Sequence, residues 1–578
     1  MTGYTGKSIR IDLSEGARDI FETPPELCEK FIGGRGFGVA LIREHITKPF
    51  DSEDMPIIFA SGPLVGTSAP TSGRLSVVSR SPLTSTVFDC SVGGRFATEL
   101  KRAGFDMLIV SGLSREWVTI DIQDNNISIK DARPLYGRNV EEAAAILGDD
   151  GSTAIIGRAG ERGVRFASIV FDGHYLAGRG GLGAVMGAKR LKAIKIRGTG
   201  EVKVADPGAL KKAREEIMRL LRASPAVFGE FGLSEFGTAA LVDLIHARRM
   251  EPTENFRKSV FPGAGQYSGY SMKTVYHTRK KGCRGCPILC KKVGRAGEVM
   301  PEFETVSHFG ALNGNSDLRS IVEANRLCND YGLDTITAAS TIACYSEFSG
   351  RRLSPEELLE HVVLIGERQG IGDALSEGSR RFAESEGVPE LSMTVKGLEL
   401  PAYDPRGAYG MALAYVTSNR GGCHLRAYPI SYEILRKPVA VDRFSFVGKA
   451  RMVKISEDIN TVVDSLTACK FVFFAASLEE YAKAINAVTA REYDVQSLVR
   501  AGERTWLLER HLNTLNGFSR KDDDLPERFF RDAGYSDENV TIPPIRRKDF
   551  DDALDRYYRI RGYDEDGRVT EEDERAGK

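Results

Sequence analysis

The chain has 578 residues, enough for three or four domains at roughly 150 residues each. Its 79 Lys and Arg against 80 Asp and Glu leave a formal charge of −1, without the basic excess of a nucleic-acid binder. With 42% hydrophobic and 28% charged residues it is ordinary for a globular protein, and no apolar run approaches the ~20 residues of a membrane span. The opening MTGYTGKSIRIDL lacks the apolar stretch of a secretion signal, so the expected compartment is the cytoplasm. Residues 8–13 alternate polar and apolar, the period of a half-buried strand. Short β segments follow at 57–60, 75–78, 107–110, 118–120, 154–156 and 193–196, several separated by Gly, Pro or Asp. Residues 1–200 hold 28 of the 60 glycines and read as one β-rich domain with glycine-rich loops. After Gly200, Asp206 caps an expected helix that begins at Pro207. Ser354, Pro355 and Glu357 form a second helix start, and 372–387 reads as one helix ending at Gly387. The expected class is α+β: a β-rich domain 1–200, then helical domains 201–397 and 398–578. The charge run from Glu571 to Arg575 reads as a solvated tail.

Cys283, Cys286 and Cys290 stand in C-x2-C-x3-C spacing, three of only nine cysteines within eight residues. Soft thiolates at this spacing suit an iron–sulfur cluster or zinc. Zinc usually takes a second nearby ligand pair, and the next histidine downstream, His308, has no partner at that spacing, so a cluster is the favoured reading. Its fourth thiolate must be remote, with Cys328, Cys344, Cys423 and Cys469 as candidates. Cys28, Cys90, Cys328 and Cys344 also read as small buried hydrophobes. Three loops carry Gly with Arg: Gly33–Gly38 around Arg35, Gly93-Gly94-Arg95, and Gly178-Arg179-Gly180-Gly181. Singly, each suits close backbone packing; as a set they point to an anionic organic cofactor, because glycine bares backbone N–H groups and arginine forks onto phosphate.

Taken in order, these motifs resemble the tungsten-containing aldehyde:ferredoxin oxidoreductases over almost the whole chain. The resemblance runs through Gly62-Pro63-Leu64 to Gly73-Arg74, Asp172-Gly173-His174, the cysteine motif, Pro301-Glu302-Phe303-Glu304, Gly332-Leu333-Asp334, Leu400 to Gly407, and Asn419-Arg420-Gly421-Gly422-Cys423-His424. It implies a tungsten or molybdenum bis-pyranopterin, a [4Fe–4S] cluster and Mg2+ bridging the pterin phosphates. By the same likeness Cys469 is the fourth cluster ligand, Arg74 links pterin and cluster, and Arg426 meets a pterin phosphate. Arg179, Gly93 and Gly94 belong to the cofactor loops, and Ser91 marks the Mg2+ region. Asp334 and Asp464 are implied acceptors for pterin N–H groups, with Asn329 standing where the family has Asp. The family's E-x-x-H iron bridge reads Glu323-Ala324-Asn325-Arg326, which points away from an oligomer built on such an iron.

The implied reaction turns an aldehyde into a carboxylic acid, with Glu304 and His424 as the acid–base pair. Electrons would leave through the cluster to ferredoxin or a ferredoxin-like subunit, docked on Lys280, Lys281, Arg284, Lys291 and Lys292. Two other readings share the motifs: the active-site subunit of a tungsten benzoyl-CoA reductase, and a non-catalytic electron-transfer or scaffold subunit. Retention of Glu304 and His424 favours the aldehyde chemistry.

Overall fold

A computed structural model describes residues 2–569; the expected tail from Glu571 to Arg575 lies outside the described residues. The alternating segment near the start forms β1 (Lys7–Asp12), which pairs with β2 (Ala17–Glu22). With β3 (Ile57–Ala60), β4 (Leu75–Arg80), β5 (Val87–Val92) and β6 (Met107–Ser111) they make a six-stranded sheet ordered β2-β1-β6-β3-β4-β5. A second sheet takes β7 (Val118–Gln123), β8 (Asn126–Asp131), β9 (Ser152–Ile156), β10 (Ile169–Phe171), β11 (Tyr175–Ala177) and β12 (Leu191–Arg197), ordered β11-β10-β9-β12-β7-β8. Both sheets are mixed: only β1–β6 and β12–β7 run parallel. Phe59 of β3 and Phe171 of β10 meet Phe96, whose ring lies 6.0 Å from the first and 5.2 Å edge-on from the second. The helix Phe96–Arg102 thus joins the sheets through buried aromatic rings, each worth about 1.5–3 kcal/mol of burial.

Helices dominate after Arg197. Asp206 accepts from the Ala209 N–H at 2.8 Å and starts Pro207–Ala223 as expected. Ser354 and Glu357 close a reciprocal capping box on Pro355–Glu367. The single helix expected over 372–387 is instead two, Ile371–Leu375 and Ser379–Ser385. They break at Gly378, whose φ of +89° a side chain rarely adopts and where an added Cβ would stand 2.7 Å from Leu83. The expected domain crossing at 397/398 falls inside a two-stranded hairpin, where Thr394–Val395 pairs with Leu398–Glu399. A further hairpin, β13 (Arg279–Lys281) with β14 (Lys291–Val293), brackets the cysteine motif. Among the described residues no helix is long and apolar enough to cross a membrane.

Candidate active site

The end of the first sheet supplies one wall. Leu75 of β4 pairs with Val92 of β5, so Arg74 and Gly93 sit at the same end of that hairpin. The Arg74 guanidinium donates to Ser91 Oγ at 2.7 Å and to the Ser91 carbonyl. Backbone bonds from Arg74 N to Thr467 O (3.2 Å) and from Cys469 N to Thr71 O (2.9 Å) lace this loop to the segment after helix Lys449–Ser465. That places Cys469 beside the cysteine hairpin despite its distance in sequence. Burial, then Glu302, Cys469, Cys283 and Cys286, push the Cys290 thiol well above its usual value. Burial and then Cys469 raise Cys286 to about 12. Gly93 backs onto the same group: a Cβ there would lie 2.5 Å from Cys283 Sγ. Among the described residues no three His, Cys, Asp or Glu side chains converge on a point fit for one metal ion.

Next to the thiols opens a cavity of about 1550 Å³ lined by Arg74, Asp89, Ser91, Gly93, Arg179, Cys283, Cys290, Glu304, Arg420, His424, Arg426, Asp464 and Cys469, among others. Its polar wall is a buried charge network. Asp464 accepts from Arg426 (3.0 Å) and Lys470 (2.9 Å), and Asp89 pairs with Arg426. Arg420 reaches Cys423 Sγ at 2.9 Å and lies 4.9 Å over the Phe88 ring. Burial alone would raise the Cys423 thiol, but Arg420, Arg426 and Arg179 outweigh it and bring it down to about 7. Buried polar atoms in folded proteins are normally paired. Here Asp89 Oδ2, Asp464 Oδ1, Arg179 Nε, Arg420 Nε and Arg426 Nε have no hydrogen-bond partner. Acceptors and donors left over around one cavity fit a ligand that carries both N–H groups and anionic oxygens, as a pterin phosphate does.

Glu304 occupies the first turn of helix Phe303–Phe309 and His424 ends the Gly-Gly-Cys-His turn. His424 Nε2 lies 3.5 Å from Glu304 Oε1, which has no hydrogen-bond partner. The other carboxylate oxygen accepts from the Ala402 N–H at 2.8 Å. Burial raises the Glu304 carboxyl to about 8. His424 is pulled well below its ordinary value by burial and by Arg179 and Arg420. Its ring is neutral near pH 7, and its Nδ1 is also unpartnered.

The structure thus gathers most of the expected residues, and several depart. Asn329, half-buried near the end of helix Leu318–Tyr331, does not line the cavity. Asp334 faces Arg179 at 3.6 Å, but its oxygens cap helix Thr335–Phe348 through the N–H groups of Ile336 and Thr337. Gly94 turns at φ +104° against Asp172, and Cys286 does not line the cavity. Of the three Gly-Arg loops only Arg179 faces the cavity. Arg35 is buried on Glu509 at 2.6 Å, and Arg95 bonds the Gly151 carbonyl. The basic patch at the hairpin is largely paired: Lys280 with Glu235, Arg284 with Glu99 and Lys291 with Glu302. Glu323 and Arg326 pair with each other at 2.6 Å. The motif reading passed over Asp89, Lys470 and the role of Arg420. Asp89 and Lys470 lie within a few residues of motifs already singled out, and Arg420 lies inside one, which was the available signal.

Comparison with known proteins identifies the family. A family model described as the N-terminal domain of aldehyde ferredoxin oxidoreductase matches residues 8–198, and one for its domains 2 and 3 matches residues 212–576. The chain is 40% identical to the tungsten-containing aldehyde ferredoxin oxidoreductase of Pyrococcus furiosus, covering 99% of this chain and 98% of that one. It is also 40% identical, with the same coverage, to the protein of that name from Pyrococcus horikoshii. The active-site complex BamBC of benzoyl-coenzyme A reductase shares the fold with a TM-score of 0.85 at 23% identity, over 99% of this chain and 96% of that one. The chain belongs to the aldehyde ferredoxin oxidoreductase family.

Proposed function

We propose that this chain oxidises aldehydes to carboxylic acids in the cytoplasm, at a tungsten or molybdenum bis-pyranopterin held in the central cavity. The observation that carries this reading is Glu304, with one unpartnered oxygen 3.5 Å from a neutral His424, on the wall of a cavity ringed by arginines and thiols. Bound there, the tungsten centre would supply the two-electron oxidation; the residues supply placement and proton handling. The guanidinium Nε atoms of Arg179, Arg420 and Arg426, free of hydrogen bonds, would hold pterin phosphates and the Mg2+ that accompanies them, and Asp89 Oδ2 and Asp464 Oδ1 would accept pterin N–H groups. Arg74, fixed by Ser91 and facing Cys469, would lie between a pterin in the cavity and a cluster on the thiols.

Aldehyde and water give an acid, two protons and two electrons. Glu304 takes a proton as general base, and His424 steers the aldehyde oxygen by donating its one N–H. Cys283, Cys286, Cys290 and Cys469 would carry a [4Fe–4S] cluster, a reading supported by their C-x2-C-x3-C spacing and by the proximity of Cys469 to that motif. The electron acceptor is then ferredoxin or a ferredoxin-like subunit at the β13–β14 hairpin, where Lys281 is exposed. A scaffold role would leave the unpartnered groups of Glu304 and His424 without a purpose, and a benzoyl-CoA reductase reading rests on the shared fold alone. Elemental analysis of anaerobically purified protein for W, Mo and Fe, followed by aldehyde-driven reduction of a viologen dye, tests the proposal. Metal-loaded protein that reduces the dye with aldehyde supports it; a metal-free protein, or a loaded one indifferent to aldehydes, refutes it.

A further inference from the structure

The arginines on the polar wall of the cavity differ in what answers their charge. Arg426 pairs with Asp89 and Asp464, and Arg179 faces Asp334 at 3.6 Å. Arg420, only 7% exposed, reaches no carboxylate among the described residues. Its Nη1 donates to the Asp89 backbone carbonyl, its Nη2 donates to Cys423 Sγ at 2.9 Å, and its Nε has no hydrogen-bond partner. A buried guanidinium without an anion is costly, and the Cys423 sulfur is placed to supply the missing charge.

Two buried cysteines beside this arginine behave differently. Cys90 donates its S–H to the Arg179 carbonyl at 3.3 Å, and burial pushes its thiol up to about 12. Cys423 Sγ accepts twice, from Arg420 and from the Leu425 N–H at 3.3 Å, and donates to nothing among the described residues. A thiol has a proton to donate and a thiolate has none, so these contacts suit the anion. Burial opposes that form, but Arg420, Arg426 and Arg179 outweigh it and bring the thiol down to about 7. Glu304 and Tyr415 also face the sulfur. Burial raises Glu304 to about 8 and Tyr415 well above its ordinary value, so neither brings a full negative charge near pH 7. His424, next along the chain, is neutral there. The turn that carries the sulfur is pinned: Gly422 donates to the Val395 carbonyl at 3.1 Å and accepts from Arg179 at 2.8 Å.

We propose that Cys423 is a positioning residue whose thiolate is the counter-ion of Arg420 and holds that guanidinium on the cavity wall, with its Nε left for an anionic group of the cofactor. The Leu425 N–H on the same sulfur fastens the turn on the far side of His424. The ion pair stands on this chain's own atoms; the hold on the cofactor rests on the pterin reading above.

Two measurements on the anaerobically purified full chain test it. The first reads the infrared S–H stretching band and needs neither aldehyde nor a loaded cofactor. In the difference between the parent and Cys423→Ser, Cys423 should show no S–H band at about pH 8 and gain one at about pH 5.5. Cys28, Cys328 and Cys344, whose thiols burial pushes up, keep their bands throughout and serve as the reference. Arg420→Gln leaves the cysteine in place and should restore its band at about pH 8, because the anion has lost its partner. A Cys423 band already present in the parent at about pH 8, or none gained in Arg420→Gln, overturns the ion pair. The second measurement separates charge from shape. Tungsten retained per chain should fall roughly 10-fold in Cys423→Ala and in the nearly isosteric but neutral Cys423→Ser, and recover in Cys423→Asp, which restores a negative charge. Cys423→Ser that retains tungsten like the parent overturns the positioning role. A parent without tungsten would sink the pterin reading instead, and the S–H band would still judge the ion pair.

Discussion

At the scale of single residues, the site works by placing ionisable groups where little water reaches them. Glu304 is 14% exposed, and burial raises its carboxyl to about 8. Acting as a base, it must be ionised, so kcat should climb with pH through about 8. The same shift has a cost for stability. The folded state binds the Glu304 proton more tightly than the unfolded chain, so this group's contribution falls as pH rises from the ordinary carboxylate range through about 8. Glu304→Gln should lose ~10²–10⁴ in kcat with metal content retained. It should also flatten the alkaline loss of melting temperature, and a wild-type turnover in a metal-replete variant would remove Glu304 from the mechanism. Asn329 makes the opposite case: it lies off the cavity, so Asn329→Asp is expected to leave cofactor loading and the tungsten reduction potential unchanged, checked by redox titration of the W(V) EPR signal. The Glu304 and His424 motifs were legible in the chain because short polar motifs keep their neighbours in order. Asn329 and Asp334 were less so. Whether a carboxylate caps its own helix or turns toward a ligand depends on where the helix ends, and spacing alone does not encode that.

At the scale of elements, the cluster region is a junction of a sheet end, a hairpin and the loop after a helix. The Thr71–Arg74 loop and the Thr467–Cys469 segment exchange backbone hydrogen bonds, so Cys469 is placed by pairing nearly 400 residues away in sequence. Cys469→Ser should reduce iron below ~4 per chain and abolish the reduced-cluster EPR signal; unchanged iron and signal would refute its role. Gly93 tests the junction without replacing any of the four cysteines. A Cβ there would press on Cys283 Sγ from 2.5 Å, so Gly93→Ala should lower iron content while the far-ultraviolet circular dichroism stays that of the parent. Elements with strong local signals were readable beforehand: β3 has the expected bounds, and the capped helices begin at their Asp and Ser residues. The short strands β10 and β11 and the break at Gly378 were not, because three-residue strands and a tertiary contact with Leu83 carry no period of their own.

At the scale of the whole molecule, Arg35 ties the ends of the chain together. From helix Gly34–Ile42 it reaches Glu509 on helix Val495–Leu515 at 2.6 Å, Asp464 at 3.4 Å and Asp89 at 3.5 Å, fully buried. From its place among glycines this arginine is expected on phosphate. Those glycines instead serve close packing: a Cβ on Gly36 would lie 2.2 Å from the Phe31 carbonyl and one on Gly38 2.2 Å from Val78. Removing one partner of a buried ion pair strands the other charge, so Arg35→Ala should destabilise the fold by ~3–5 kcal/mol in chemical denaturation. A midpoint like that of the parent would show that the network does not join the halves. Because Asp464 and Asp89 belong to both this network and the cavity, the same variant should also lower cofactor loading.

The central claim is that these groups together oxidise aldehydes, and aldehyde-dependent reduction of a viologen dye by anaerobically purified, metal-analysed protein tests it most directly. Dye reduction should require aldehyde, yield the matching carboxylic acid, and fall by ~10²–10⁴ in Glu304→Gln at equal metal content. Protein carrying its full tungsten and iron that leaves the dye oxidised with both aliphatic and aromatic aldehydes would contradict it.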